Sequence, residues 1–258
     1  MSGRGPGEIW QASSDEGQRR VDRSFGGQVA TGFVGGVDVM LGVTALALLS
    51  GALVLVMPEP TAHALGSFGL GIGLAFIVIG RSELFTENFL VPVTTVAARR
   101  RGMRSLVRLW ALTLLGNLAG LLVIALVLTR EDLVPTQTLV AASRLAETFA
   151  ERDVVAALLS AIVAGAVMTL LTWLAHAAHD ETAKIAIALV IGFVLAAPSL
   201  NHAVVSFGEM SFGILAGTGE AGWIDLAQNF PVAVVGNLLG GLGFVTVMRA
   251  FQVRGEPR

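Results

Sequence analysis

The chain has 258 residues, of which 54% are hydrophobic and only 14% charged, and its net charge is -2. A soluble domain carries about 25% charged residues, so the deficit, with a mean hydropathy of +0.74, points to a lipid bilayer as the solvent. The near-zero charge argues against a nucleic-acid surface, and the lack of cysteine excludes disulfides, thiolate metal sites and cysteine nucleophiles.

In chain order, residues 1–24 are polar and charged. They lack the apolar stretch of a cleavable signal peptide and are expected to form a tail ending in a short helix. Charges then punctuate the sequence. An apolar run begins near Gln28, and 20 uncharged residues lie between Asp38 and Glu59. Further uncharged runs are Thr61–Gly80, Leu109–Thr129, Val154–His179, Ile185–Gly208 and Leu226–Met248. A helix needs about 20 apolar residues to cross the hydrocarbon core, so six spans are expected within a channel domain of residues 25–253, followed by a tail, 254–258. Between spans three and four, Thr138–Ala150 has helical spacing, suited either to the membrane interface or to a solvated loop helix.

Six spans leave both termini on one side. That side holds Arg4, Arg19, Arg20, Arg23, the cluster from Arg99 to Arg108, Lys184, Arg249, Arg254 and Arg258; the other holds only Arg130, Arg144 and Arg152. The asymmetry predicts cytoplasmic termini. An internal repeat also stands out: Gly116-Asn117-Leu118-Ala119-Gly120 returns as Gly236-Asn237-Leu238-Leu239-Gly240. The same offset carries Ser82 onto His202. Three spans per half make the second copy insert upside down, which predicts inverted repeats sharing a midplane site.

Two polar segments interrupt the apolar pattern. Arg81-Ser82-Glu83-Leu84-Phe85-Thr86-Glu87-Asn88 follows the second run. If it were the far-side loop, FLVPVTTVAA would be too short to bring the Arg99–Arg108 cluster back to the N-terminal side. An arginine or aspartate at a helix centre costs about 2.5–3.5 kcal/mol, and non-helical backbone at that depth must face protein or a water-filled cavity. A broken second span follows. In the fifth run, Pro198-Ser199-Leu200-Asn201-His202 breaks the helix at proline. His202 is the one histidine well inside a span; within a membrane a functional role is its default, and histidine changes charge near neutral pH. Asp38 either faces the pathway or, preferably, caps a packing contact as a protonated acid. His176, His179, Asp180 and Glu181 read as a solvated helix end rather than a metal site. Asn117 and Asn237 are expected to bond between helices.

Together the Gly71-Ile72-Gly73-Leu74 half-span, the Ser82–Thr86 loop, Asn201-His202 and the two repeats resemble the formate/nitrite transporter family over roughly residues 15–253. The resemblance implies an all-α, aquaporin-like fold of six helices in two inverted three-helix repeats, with helices two and five broken. It implies a homopentamer with one pore per protomer in a bacterial inner (plasma) membrane. Substrates would be small monovalent weak-acid anions such as formate, nitrite or hydrosulfide; the expected machine is a channel or a proton-linked transporter in which a central pore histidine protonates the substrate, with no cofactor or metal. By position, His202 matches the central pore histidine and Thr86 the threonine that bonds it; Asn201, Glu83 and Arg81 fall at the pore. Leu74 and Leu84 match the cytoplasmic constriction, with Phe85 beside them. Leu70 and Leu195 stand where the formate channel has outer phenylalanines. The chain departs from the pattern at Asn201, where an acid is common, and at Arg81, where a small residue is usual. No lysine precedes span four, and Gly165 replaces that lysine's asparagine partner. Two other readings lack their motifs: an aquaporin-like channel for neutral small solutes would carry paired Asn-Pro-Ala, and an intramembrane serine protease, with Ser82 and His202 meeting, would carry a GxSG elbow. No enzymatic activity is expected.

Overall fold

The computed structural model describes residues 4–130 and 132–255. The outermost parts of the two expected tails, residues 1–3 and 256–258 with Arg258, lie outside the described residues. Among those described, every regular element is helical.

α1 (Pro6–Asp22) is longer than the short helix expected, and it lies on α5 (Val91–Ala97). α2 (Phe25–Leu53) starts where the Ser24 hydroxyl accepts from the Gly27 N–H, satisfying one of the free donors of a helix start. α3 (Glu59–Gly66) and α4 (Phe68–Gly80) form one apolar stretch with a joint at Ser67. α4 ends at Arg81, whose φ of 59° is left-handed. A short 3-10 turn (Phe85–Phe89) then leads into α5. α6 (Met103–Leu128), α7 (Thr136–Ala150) and α8 (Val154–Ala177) follow. The Asp153 carboxylate caps α8 by accepting from Val155 and Ala156, and Asp180 caps α9 (Glu181–Ala196) through Ala183. α10 (Ala203–Ala216) ends at Gly217, whose φ of 67° suits a residue without Cβ. α11 (Trp223–Leu238) continues through a π-helical segment (Leu239–Thr246) into α12 (Val247–Arg254).

Among the described residues, five helical stretches are long and apolar enough to cross a membrane: Phe25–Leu53, Glu59–Gly80, Met103–Leu128, Val154–Ala177 and Trp223–Arg254. The expected fifth run is two shorter helices in series, α9 with 16 residues and α10 with 14. It does not end at Gly208, because α10 continues to Ala216 and takes Glu209 inside the helix. Large apolar side chains such as Leu115, Leu159 and Phe244 point outward. Exposed apolar surface this extensive is foreign to a water-soluble monomer.

One end of the bundle gathers the expected cytoplasmic features. Arg100 and Arg101 pair with Asp15 and Asp22 of α1 at 2.6 and 2.5 Å, Arg4 donates to the His176 carbonyl, and α12 packs on α1. Arg100, Arg101 and Arg108 of the basic cluster therefore lie at the same end of the bundle as the N-terminal helix.

Asn117 and Asn237 make matching sets of hydrogen bonds. Asn117 Nδ2 donates to the Gly32 and Glu83 carbonyls, and its Oδ1 accepts from the Phe85 N–H. Asn237 Nδ2 donates to the Ala161 and Asn201 carbonyls, and its Oδ1 accepts from the Ala203 N–H. Close backbone approach repeats too. A Cβ on Gly36 would lie 2.1 Å from the Asn117 carbonyl oxygen, and one on Gly165 would lie 2.2 Å from that of Asn237. The asparagine absent at Gly165 has no room there. The matched bonds also correct the offset at the breaks: Glu83 and Phe85 correspond to Asn201 and Ala203, so Leu84, not Ser82, is the counterpart of His202.

Candidate functional site

Where α4 ends, the chain loses helical hydrogen bonds from Arg81 to Leu84. Asn117 replaces some of them, and the buried loop is held from a second side by charge. Arg20 of α1 sits 3.5 Å from both Glu83 and Glu87 and donates to Asn88 Oδ1 at 3.1 Å; Arg23 also pairs with Glu83. Burial opposes the Arg20 charge, but Glu83, Glu87 and Glu16 together outweigh it and hold the guanidinium above its ordinary value. Glu83, expected at the pore, thus faces the arginines of the N-terminal segment. Phe85 packs edge-to-face on Phe89 and Trp110 at 4.9 and 6.3 Å, which makes it part of the loop's apolar support.

The second break brings His202 to the first. His202 Nε2 and Thr86 Oγ1 are 2.8 Å apart, and both residues are fully buried. His202 is also the N-cap of α10, where its Nδ1 accepts from the Val205 N–H at 3.2 Å. An accepting Nδ1 carries no proton, so the capping bond selects the tautomer in which Nε2–H donates to Thr86. Among the described residues the Thr86 hydroxyl has no acceptor of its own. Ser82 instead donates to Asp38 Oδ2 at 2.6 Å, so the serine that a protease reading would pair with His202 is engaged elsewhere. Leu70, Leu74, Leu84 and Leu195 are buried in one apolar cluster beside the break.

Asn201 forms a reciprocal amide pair with Asn229, at 2.8 and 3.0 Å. Its backbone N–H donates to Ser160 Oγ. The same Ser160 accepts from Arg152, which also reaches the Ser199 carbonyl at 2.9 Å. A cation does therefore stand just before α8, supplied by arginine from the preceding turn. Partial burial pulls the Arg152 guanidinium down from its ordinary value, and the carboxylate of Glu209 acts against that shift. Sequence reasoning missed both residues; an arginine directly before the Asp153 cap of an apolar helix was the available signal. Arg81 is remote from this group. It lines an open cavity of about 400 Å³ at the α1 end, with Arg4, Arg19, His176 and Lys184.

The formate/nitrite transporter profile matches residues 7–251. A formate channel of Bacillus thuringiensis is 26% identical over 254 residues, which cover 93% of this chain and 92% of that protein. A solved ion channel of the same family superposes with a TM-score of 0.82 at 20% identity, covering 95% of this chain and 98% of that one. A pentameric formate channel solved with formate bound gives 0.77 at 18% identity, covering 90% and 98%. At such identities the solved structures speak for the fold alone.

Proposed function

The chain belongs to the formate/nitrite transporter family, and we propose that it is a multi-pass inner-membrane channel or proton-linked transporter for small monovalent weak-acid anions. In this reading α2, α3–α4–α5 and α6 are spans one to three, and α8, α9–α10 and α11–α12 are spans four to six. The two sets are inverted copies of a three-span unit, each broken in its middle member, within a channel domain flanked by short terminal segments. The basic end faces the cytoplasm, and five copies assemble as in the pentameric relative.

The observation that carries the reading is the 2.8 Å contact between His202 and Thr86, one from each break. An anion arriving there meets the Nε2–H donor of His202 and the free hydroxyl of Thr86. On either side it faces Leu74 and Leu84 or Leu70 and Leu195, and an unpaired charge among such side chains is strongly disfavoured. Taking a proton lets the substrate pass as a neutral acid. His202 can release the Nε2 proton only from its doubly protonated form, since a neutral ring that lost it would be an imidazolate. Protonation at Nδ1 removes the acceptor from the Val205 N–H, so charging the ring and uncapping α10 are one event.

The test is flux of formate, nitrite and hydrosulfide into proteoliposomes across a pH series. His202→Asn should abolish the pH dependence; a variant that keeps the wild-type profile would refute the relay. Swelling with glycerol at rates matching the anions would favour the neutral-solute channel instead.

A further inference from the structure

Glu209 has no place in the scheme above, yet it lies on the same helix as His202. It is 3% exposed in a helix of 14 residues. Among the described residues its carboxyl has no hydrogen-bond donor and no cation within 4.0 Å. The position is seven residues beyond His202, two turns along the same face and about 10 Å further out. The neighbours on that face, Val205 and Phe212, belong to the apolar cluster that contains Leu70, Leu74, Leu84 and Leu195. Met210, one residue on, packs into a different cluster with Ala146 and Leu226. Glu209 thus shares the face of α10 that carries His202 and Val205.

The charged groups around it are few. α10 packs against α2, α6, α7 and α11. On α2, Asp38 is held by Ser82. On α6, Arg108 is bound at the α1 end, to the Val21 carbonyl. On α7, Arg144 pairs with Glu59 and Glu147 accepts from the Glu220 N–H. On α11, Asp225 caps its own helix through Gly222. Arg152 remains as the one group that acts on Glu209 electrostatically. It is anchored on Ser160 and the Ser199 carbonyl, beside Asn201 and the His202 break.

A buried carboxyl in a membrane helix must carry a proton or be answered by a cation. Arg152 is close enough to act and too far to pair, which leaves both states open. We infer that Glu209 is a second proton-binding residue of the pathway, exchanging protons between the Arg152 side and His202. In the step, Glu209–COOH gives its proton to the passing anion, leaving Glu209–COO⁻ and the neutral acid, which carries the proton on to the His202 break. The carboxylate so formed is favoured by the Arg152 charge, and a proton from the aqueous phase restores the acid.

The inference rests on the anion-pathway reading, and one experiment separates the two. Formate uptake and the accompanying proton uptake are measured in proteoliposomes between about pH 5 and 9 for wild type, Glu209→Gln, Glu209→Asp and His202→Asn. Loss of a proton-transfer group should lower formate-driven proton uptake by Glu209→Gln at least about tenfold and flatten its pH profile. Glu209→Asp should retain coupling with a displaced midpoint. Wild-type coupling and profile in Glu209→Gln would overturn the assignment. If Glu209→Gln does not fold, an undisplaced midpoint in Glu209→Asp overturns it. No formate flux in wild type would sink the pathway reading, and this inference with it. An unchanged profile in His202→Asn beside a flattened one in Glu209→Gln would sink only the histidine relay.

Discussion

Replacing Arg20 by methionine isolates the charge network that ties α1 to the broken loop. Methionine keeps an unbranched stem and removes the guanidinium. Glu87, 5% exposed, then loses its cation at 3.5 Å and Asn88 Oδ1 its donor at 3.1 Å, while Glu83 keeps Arg23. Removing one partner of a buried pair costs about 3–5 kcal/mol. The surviving Arg23–Glu83 pair puts the expectation at the lower end, about 3 kcal/mol. For a chain of this size that corresponds to a fall of roughly 6–12 °C in Tm, read by thermal unfolding in detergent. Adding Glu87→Gln removes the stranded charge, so the double variant should recover at least about 1 kcal/mol relative to additivity. An Arg20→Met Tm within a degree of wild type, or strict additivity, would show that α1 is held by apolar packing alone.

Gly36→Ala and Gly165→Ala each drive a Cβ into a backbone carbonyl. Each should cost at least the 1–3 kcal/mol typical of overpacking, whereas Gly26→Ala, with nothing within 4 Å, serves as a neutral control in the same Tm assay. Asn117→Leu and Asn237→Leu each remove three hydrogen bonds. At about 1 kcal/mol net per bond each should lose about 3 kcal/mol or more, and strongly unequal losses would show that the matched bonds are not equivalent supports. The hydrogen bond from Arg101 holds the Asp22 carboxyl below its ordinary 3.8. A depressed carboxylate stabilises the fold above its ordinary value and ceases to do so as pH falls through the depressed one. Limited proteolysis between α1 and α2 should therefore quicken below about pH 4, and Asp22→Asn should remove that dependence by showing the modestly faster low-pH rate already at neutral pH.

Most spans were legible because the bilayer demands a length of apolar chain that nothing else in the sequence imitates. Charge counting placed α2, α4, α6, α8 and α11 without knowledge of packing. It failed at α10, where the first acid, Glu209, marked an end to the run. A membrane helix tolerates one acid when the side chain turns toward protein, and hydropathy carries no direction. The loop from Arg81 to Asn88 was recognisable as a break because its polar density has no cheap alternative. Its contacts were less so: Glu83 is as acidic facing α1 as it would be facing a pore, and only the packing of Arg20 and Arg23 decides. Arg152 escaped because its guanidinium works at the end of a long stem, far from the backbone position that sequence arguments use.

The two halves share their backbone supports and differ in the side chains those supports present. Asn117 and Asn237 satisfy the backbone freed by each break in the same way, so the scaffold repeats. At corresponding positions, however, the first break presents Leu84 and the second His202, and Glu83 corresponds to Asn201. The first break turns its acid to the arginines of the N-terminal segment and leaves an apolar residue, Leu84, buried beside it. The second presents a buried imidazole whose own helix uses one of its nitrogens. A fully symmetric site would place two leucines or two histidines there: a barrier that no anion enters, or a trap that no anion leaves. On the proposed anion pathway, pairing one break of each kind would put a proton-exchanging group directly against the step where charge must be shed, the arrangement a weak-acid anion would need to cross as a neutral molecule.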